Sequence, residues 1–140
     1  MHYRYTVRSM SRVLALVDDL LFLSRIREAA RVTGAEVRPV RGPADLVATA
    51  REGGRLVLVD ADSSRLPWAD AVGALRKDPA LASLPVVAFV SHVHAERAEA
   101  ARAAGCTRVL ARGPFVQELP RLIASVTRAD AANTLQENDR

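Results

Sequence analysis

Residues 56–59, LVLV, are apolar at four consecutive positions and stop at Asp60. A strand with one solvated face alternates apolar with polar side chains; this one does not, so both of its faces must be covered. A strand covered on both sides belongs in the middle of a parallel sheet wrapped by helices, and this requirement restricts the fold more than any other feature. Residues 12–17 (RVLALV), the run VVAFVS and residues 107–111 read as further strands. Residues 35–40 (AEVRPV) read as a short alternating strand in which Pro39 points to an edge position. Between these runs lie segments of helical spacing. Residues 20–33 carry Leu23, Ile26, Ala30 and Thr33 on one face, ended by Gly34. Pro43 opens a helix through Glu52, and helices follow over 67–77, 94–104 and 115–128. Strand then helix, five times, predicts an α/β fold with a five-stranded parallel sheet and helices on both faces.

A chain of 140 residues suits one domain. That domain is expected over 12–128, after an N-terminal extension of residues 1–11 and before a polar tail, 129–140. With 49% hydrophobic but only 4% aromatic residues, the core must be mainly aliphatic. The net charge of +4 is spread over helical segments, and no basic stripe interleaved with aromatics is present, which argues against a nucleic-acid partner. The single cysteine, Cys106, rules out an internal disulfide, reads as a small buried residue and fits a reducing compartment. No apolar run approaches the roughly 18 residues of a membrane span. No signal peptide is recognisable, so a cytoplasmic, membrane-free protein is expected.

The strands end on acids. VLALVDD closes on Asp18-Asp19 and LVLVDAD on Asp60. In open α/β sheets, sites lie beyond the carboxyl ends of the strands. Asp18, Asp19, Asp60, Ser91 and Arg112 all fall there, from four different strands. Three carboxylates on one rim repel one another unless a cation joins them.

On these residues the chain resembles the response-regulator receiver family, the chemotaxis-type signalling domain, over about residues 12 to 127. The likeness rests on the Asp18-Asp19 pair, Asp60, Ser91, the stretch LASLPVVAFVS and Pro114-Phe115. It implies a flavodoxin-like sheet in the order 2-1-3-4-5. It implies that Asp60 is a phosphoacceptor and that Ser91 and Arg112 contact the phosphoryl group. It further implies that Mg²⁺ is held by Asp18, Asp19, Asp60 and the backbone carbonyl of Asp62. The implied function is a stand-alone receiver of a two-component phosphorelay, not an enzyme beyond its own phosphorylation and dephosphorylation. Its implied partners are a sensor histidine kinase or phosphotransfer protein and a downstream protein engaged through the 94–128 face, with a homodimer left open.

Three departures from the family pattern stand out. Arg112 replaces the family's lysine, and Gly113 separates it from Pro114. Ser63 and Ser64 occupy the loop where the family has Met-Pro and a glycine. Val109 stands where the family has its aromatic switch residue. These departures define an alternative, a pseudo-receiver that is not phosphorylated and acts as an interaction module, with Arg112 bridging the acidic rim. A flavodoxin-like cofactor binder fits less well, because DDLLFLS after the first strand would repel a phosphate. His92 and His94 read as loop residues rather than zinc ligands. Trp68 reads as a packing lid, Asp19 also suits a helix N-cap, and Glu99 and Arg102 are spaced to pair.

Overall fold

The structure is a computed structural model that describes residues 12–91 and 95–138, with side chains through Thr127. Five strands alternate with five helices. β1 is Arg12–Leu16, α1 Leu20–Thr33, β2 Glu36–Pro39, α2 Pro43–Arg51 and β3 Gly54–Asp60. α3 is Trp68–Lys77, followed by a 3₁₀ turn at Pro79–Leu81, β4 Val86–Val90, α4 Ala95–Ala104, β5 Arg108–Ala111 and α5 Arg112–Asn138. All strand pairs are parallel and the sheet order is β2-β1-β3-β4-β5, as expected. β3 is central, with Leu56 to Asp60 all buried. β2, with Pro39, lies on an edge, where the missing N–H costs no ladder bond.

The alternation of side chains along each strand divides the core in two. Leu14, Leu16, Val57 and Val59 face α2, α3 and α4, with Trp68 packed against that cluster as a lid. Val13, Ala15, Leu56 and Leu58 face α1 and α5. Three aromatics gather on the second face. Phe22 stacks on Phe89 at 4.4 Å, and Phe115 lies 4.5 Å from Phe89. Asp60 shares the strand face of Leu56 and Leu58, so its carboxylate rises beside this aromatic cluster.

The last helix departs from expectation at both ends. It begins at Arg112 rather than residue 115, because Gly113-Pro114 does not turn the chain but lies in the first helical turn, where a missing N–H has no intrahelical partner to lose. It also continues past residue 128. The backbone of the expected polar tail is helical through Asn138, despite Pro120 within the helix. The Ala, Leu, Gln and Glu residues of that segment favour helix. His92 and His94 lie outside the described residues, as do residues 1–11.

The opposite end of the sheet is closed by arginines. Arg76 of α3 donates to the carbonyls of Gly105 (2.8 Å), Ala82 (3.0 Å) and Leu84 (2.8 Å) and to Thr107 Oγ1 (3.2 Å). Gly105 has φ +117°, and a Cβ there would stand 2.6 Å from Arg76 Cγ, so this position needs glycine on both counts. Arg12 donates to the Glu52 carbonyl (3.1 Å), and Arg12 and Arg38 share the carboxylates of Glu36 and Glu52.

Candidate functional site

The carboxyl ends of β1, β3 and β4 bring the acids together. β1 and β3 are neighbours, yet the chain runs from β1 outward to β2 before returning to β3. Their ends therefore form the topological switch point at which the loops diverge and leave a crevice. Asp18 and Asp19 follow β1, Asp60 ends β3 and Ser91 follows β4.

Asp60 is 3% exposed, one of the few buried polar residues in the described protein. Its Oδ1 accepts the backbone N–H of Asp62 at 3.0 Å. Burial raises its carboxyl above the ordinary carboxylate range, and the charges of Asp62 and Asp18 add to that; the Asp62 N–H and the Arg112 guanidinium pull the other way without prevailing.

Asp62 shows the opposite balance. Burial alone would raise it, but hydrogen bonds from Ser91 and Arg97 outweigh burial and hold it below its ordinary value. Ser91 donates its backbone N–H to this carboxylate. Arg97, in the first turn of α4, donates Nη1 to Asp62 Oδ1 at 2.6 Å. Arg97 belongs to a stretch whose spacing suggests only a solvated helix face. No local signal marks it, because the pairing depends on where α4 starts relative to β3.

Asp19 is the N-cap of α1: its Oδ1 accepts the N–H groups of Leu21 (3.0 Å) and Phe22 (3.2 Å). Its other oxygen faces Arg112 Nη2 at 4.0 Å. Arg112 lies over the aromatic cluster, 4.8 Å from the Phe22 centroid and 5.8 Å from that of Phe89, a cation–π arrangement. Its Nε is buried without a hydrogen-bond partner. Among the described residues its ion pair is with Asp19 and not with Asp60. The loop after Asp60 is a serine-built turn, in which Ser63 Oγ accepts the N–H groups of Arg65 and Leu66. The expected Glu99–Arg102 pair forms at 3.7 Å.

Oxygen donors surround this crevice, which is the chemistry a hard divalent cation takes. Among the described residues, no three acidic, His or Cys side chains are drawn together into a ready-made metal cluster. A cation here would be completed by a backbone carbonyl and water. No described helix is long and apolar enough to cross a membrane. Cys106 is buried, and desolvation pushes its thiol up to about 11.

No protein-family model matches this chain, and no curated protein matches it in sequence. Its fold is nevertheless that of solved receiver domains. The chemotaxis response regulator CheY4 of Vibrio cholerae is 20% identical, with a TM-score of 0.68 over 84% of this chain and 98% of that one. The receiver domain of the sensor histidine kinase PA1611 of Pseudomonas aeruginosa, solved with magnesium coordinated in its active-site cleft, is 22% identical. Its TM-score is 0.67, again over 84% and 98%. An orphan response regulator of Helicobacter pylori, HP1043, is 17% identical with a TM-score of 0.62 over 88% and 98%.

Proposed function

We propose that this chain is a divergent receiver domain of a two-component system, accepting a phosphoryl group on Asp60 from a sensor histidine kinase or phosphotransfer protein. The observation that carries this reading is Asp60 itself, a buried carboxylate at the end of the central strand whose ionised form is disfavoured where it stands. A carboxylate raised in this way is more basic than an ordinary one and, once ionised, a better nucleophile. One of its oxygens attacks phosphorus, forming an O–P bond as the bond from phosphorus to the donor breaks, and the donor leaves with the electron pair. Asp18, Asp19, Asp60 and the Asp62 carbonyl are the groups that would hold a divalent cation, Mg²⁺ by preference, which would offset the charge of carboxylate and phosphoryl group alike. Ser91 supplies a hydroxyl proton and Arg112 a guanidinium for the phosphoryl oxygens. The result leaves the domain through the face of α4, β5 and α5, by contact with a protein.

Incubation with acetyl phosphate and Mg²⁺ should add one phosphoryl group to the intact mass of the wild type and none to Asp60→Asn. A wild type that never gains the group, under conditions that label an active receiver, ends this reading.

One observation favours the alternative of a fixed interaction module. Arg112 already places a cation at the rim, 4.0 Å from Asp19. Calorimetric titration separates the two readings. Tight Mg²⁺ binding by the wild type supports the receiver, whereas binding only in Arg112→Ala supports the fixed module.

A further inference from the structure

We infer that Phe22, stacked on Phe89, is a positioning residue for Arg112: the two rings form a shelf that holds the guanidinium beside Asp19 and clear of Asp60, so that Asp60 stays open to a divalent cation. This deepens the receiver reading above and rests on it. Arg112 has few other holds. Its Nε is buried without a hydrogen-bond partner. Its Nη2 stands 4.0 Å from Asp19 Oδ2, an ion-pair separation too long for a hydrogen bond. A long, always-charged side chain with free donors is suited to pair with a buried carboxylate that lacks a cation. Asp60 is such a carboxylate, yet among the described residues Arg112 pairs with Asp19 instead.

The aromatic surface supplies the missing hold. The guanidinium carbon lies 4.8 Å from the Phe22 centroid and 5.8 Å from that of Phe89, within reach of cation–π attraction to both. The two rings are stacked, 4.4 Å apart with 11° between their planes, and both are buried. Phe115 backs Phe89 at 4.5 Å, so the shelf is packed from beneath. The shelf is also tied to the acid that the guanidinium faces. Asp19 Oδ1 accepts the Phe22 N–H at 3.2 Å, which fixes the start of α1 and with it the origin of the ring. Asp19 Oδ2 faces Arg112. One carboxylate therefore sets the shelf and attracts what rests on it. A guanidinium lying on Asp60 would fill the place of a metal cation. Held on the rings, it keeps its charge at the rim for an incoming anion without occupying the acceptor.

The test uses the full chain as wild type, Phe22→Leu, Arg112→Ala and the variant carrying both changes. Leucine keeps an apolar side chain beneath Arg112 and removes the ring face. In the metal-free wild type, the Arg112 Nε–H proton signal, identified by its loss in Arg112→Ala, should lie upfield of the other arginines, because a ring face shields a proton above it. Phe22→Leu should return it towards them. Calorimetric titration should show Mg²⁺ binding about fivefold weaker in Phe22→Leu than in the wild type, the scale of one cation–π contact. In the Arg112→Ala background, the same change at Phe22 should leave Mg²⁺ affinity unaltered. An effect that persists without Arg112 is merely structural and overturns the positioning role. Unchanged or tighter Mg²⁺ binding in Phe22→Leu overturns it too, while leaving the receiver reading intact. So does a wild-type Arg112 signal lying among those of the other arginines, a result that does not depend on Phe22→Leu folding. A wild type with the shifted signal and the coupled affinities that never gains a phosphoryl group from acetyl phosphate overturns the receiver reading, and supports the shelf's hold on Arg112.

Discussion

The two rims of the sheet are both rich in charge, and they use it in opposite ways. At the amino ends of the strands, Arg76 binds four backbone carbonyls and a threonine, while Arg12 and Arg38 face Glu36 and Glu52. Donors and acceptors there are matched, and the rim is a clasp. At the carboxyl ends, acids are crowded and the two arginines are committed to the outer members, Arg97 to Asp62 and Arg112 to Asp19. Asp60, the most buried acid, is left with its carboxyl raised. A matched rim stabilises the fold; an unmatched one holds unfavourable charge at a single position, which is what a site for added cations and anions requires.

The comparison breaks first at Arg76. Arg76→Ala leaves several carbonyls without their charged donor and should cost about 3 kcal/mol, read from urea unfolding. A loss under about 1 kcal/mol would mean the lower rim is not held by this residue. Cys106 probes the same rim chemically. With its thiol pushed up to about 11 from 9.0, the native protein at pH 8 should react with a thiol reagent about 100-fold more slowly than the urea-unfolded chain. Equal rates would show that the lower rim opens readily.

The upper rim should respond in the reverse sense. Asp60→Asn removes a disfavoured buried charge yet keeps an acceptor for the Asp62 N–H, so it should stabilise the fold by about 1 kcal/mol at neutral pH. The pH dependence follows from the raised carboxyl. The native state binds the Asp60 proton more tightly than the unfolded chain does. Stability is therefore lost as pH rises from the ordinary value of 3.8 through the raised native one. Asp62 is depressed and acts oppositely, losing its contribution as pH falls through its native value. The advantage of Asp60→Asn should accordingly grow with pH across the window above 3.8 and then level off; a constant or shrinking advantage contradicts the assignment. The smallest effect belongs to Arg38→Ala. Its ion pairs at 3.4 and 3.9 Å are half-exposed, and their loss should cost no more than about 0.5 kcal/mol.

Much of this molecule is legible without coordinates. The apolar runs of β1, β3 and β4 determine that the sheet is parallel and covered, because an unbroken run of buried side chains needs no knowledge of its neighbours. Pro39 marks an edge for a reason internal to the residue. The positions of Asp18, Asp19, Asp60 and Ser91 at strand ends follow once the strands are recognised, since a strand's direction places its last residue on one rim. The helix boundaries are less legible at Gly113-Pro114, which looks like a turn but is absorbed by a helix start, and beyond residue 128, where polar composition conceals helix-forming residues.

The choice of partners was not legible. Whether Arg112 meets Asp60 or Asp19 depends on where α5 starts and on the Phe22 and Phe89 rings beneath its guanidinium. Arg97 reaches Asp62 only because α4 begins beside the end of β3, and Arg76 reaches Gly105 across a separation of 29 residues. The parallel, covered sheet and the rim that carries the acids were settled by the amino-acid sequence, because burial pattern and chain direction are local properties; the strand order was implied only by the family resemblance. Which cation faces which acid was settled only by the tertiary structure. A long arginine side chain can reach several partners, and the packing of helices on the sheet selects among them.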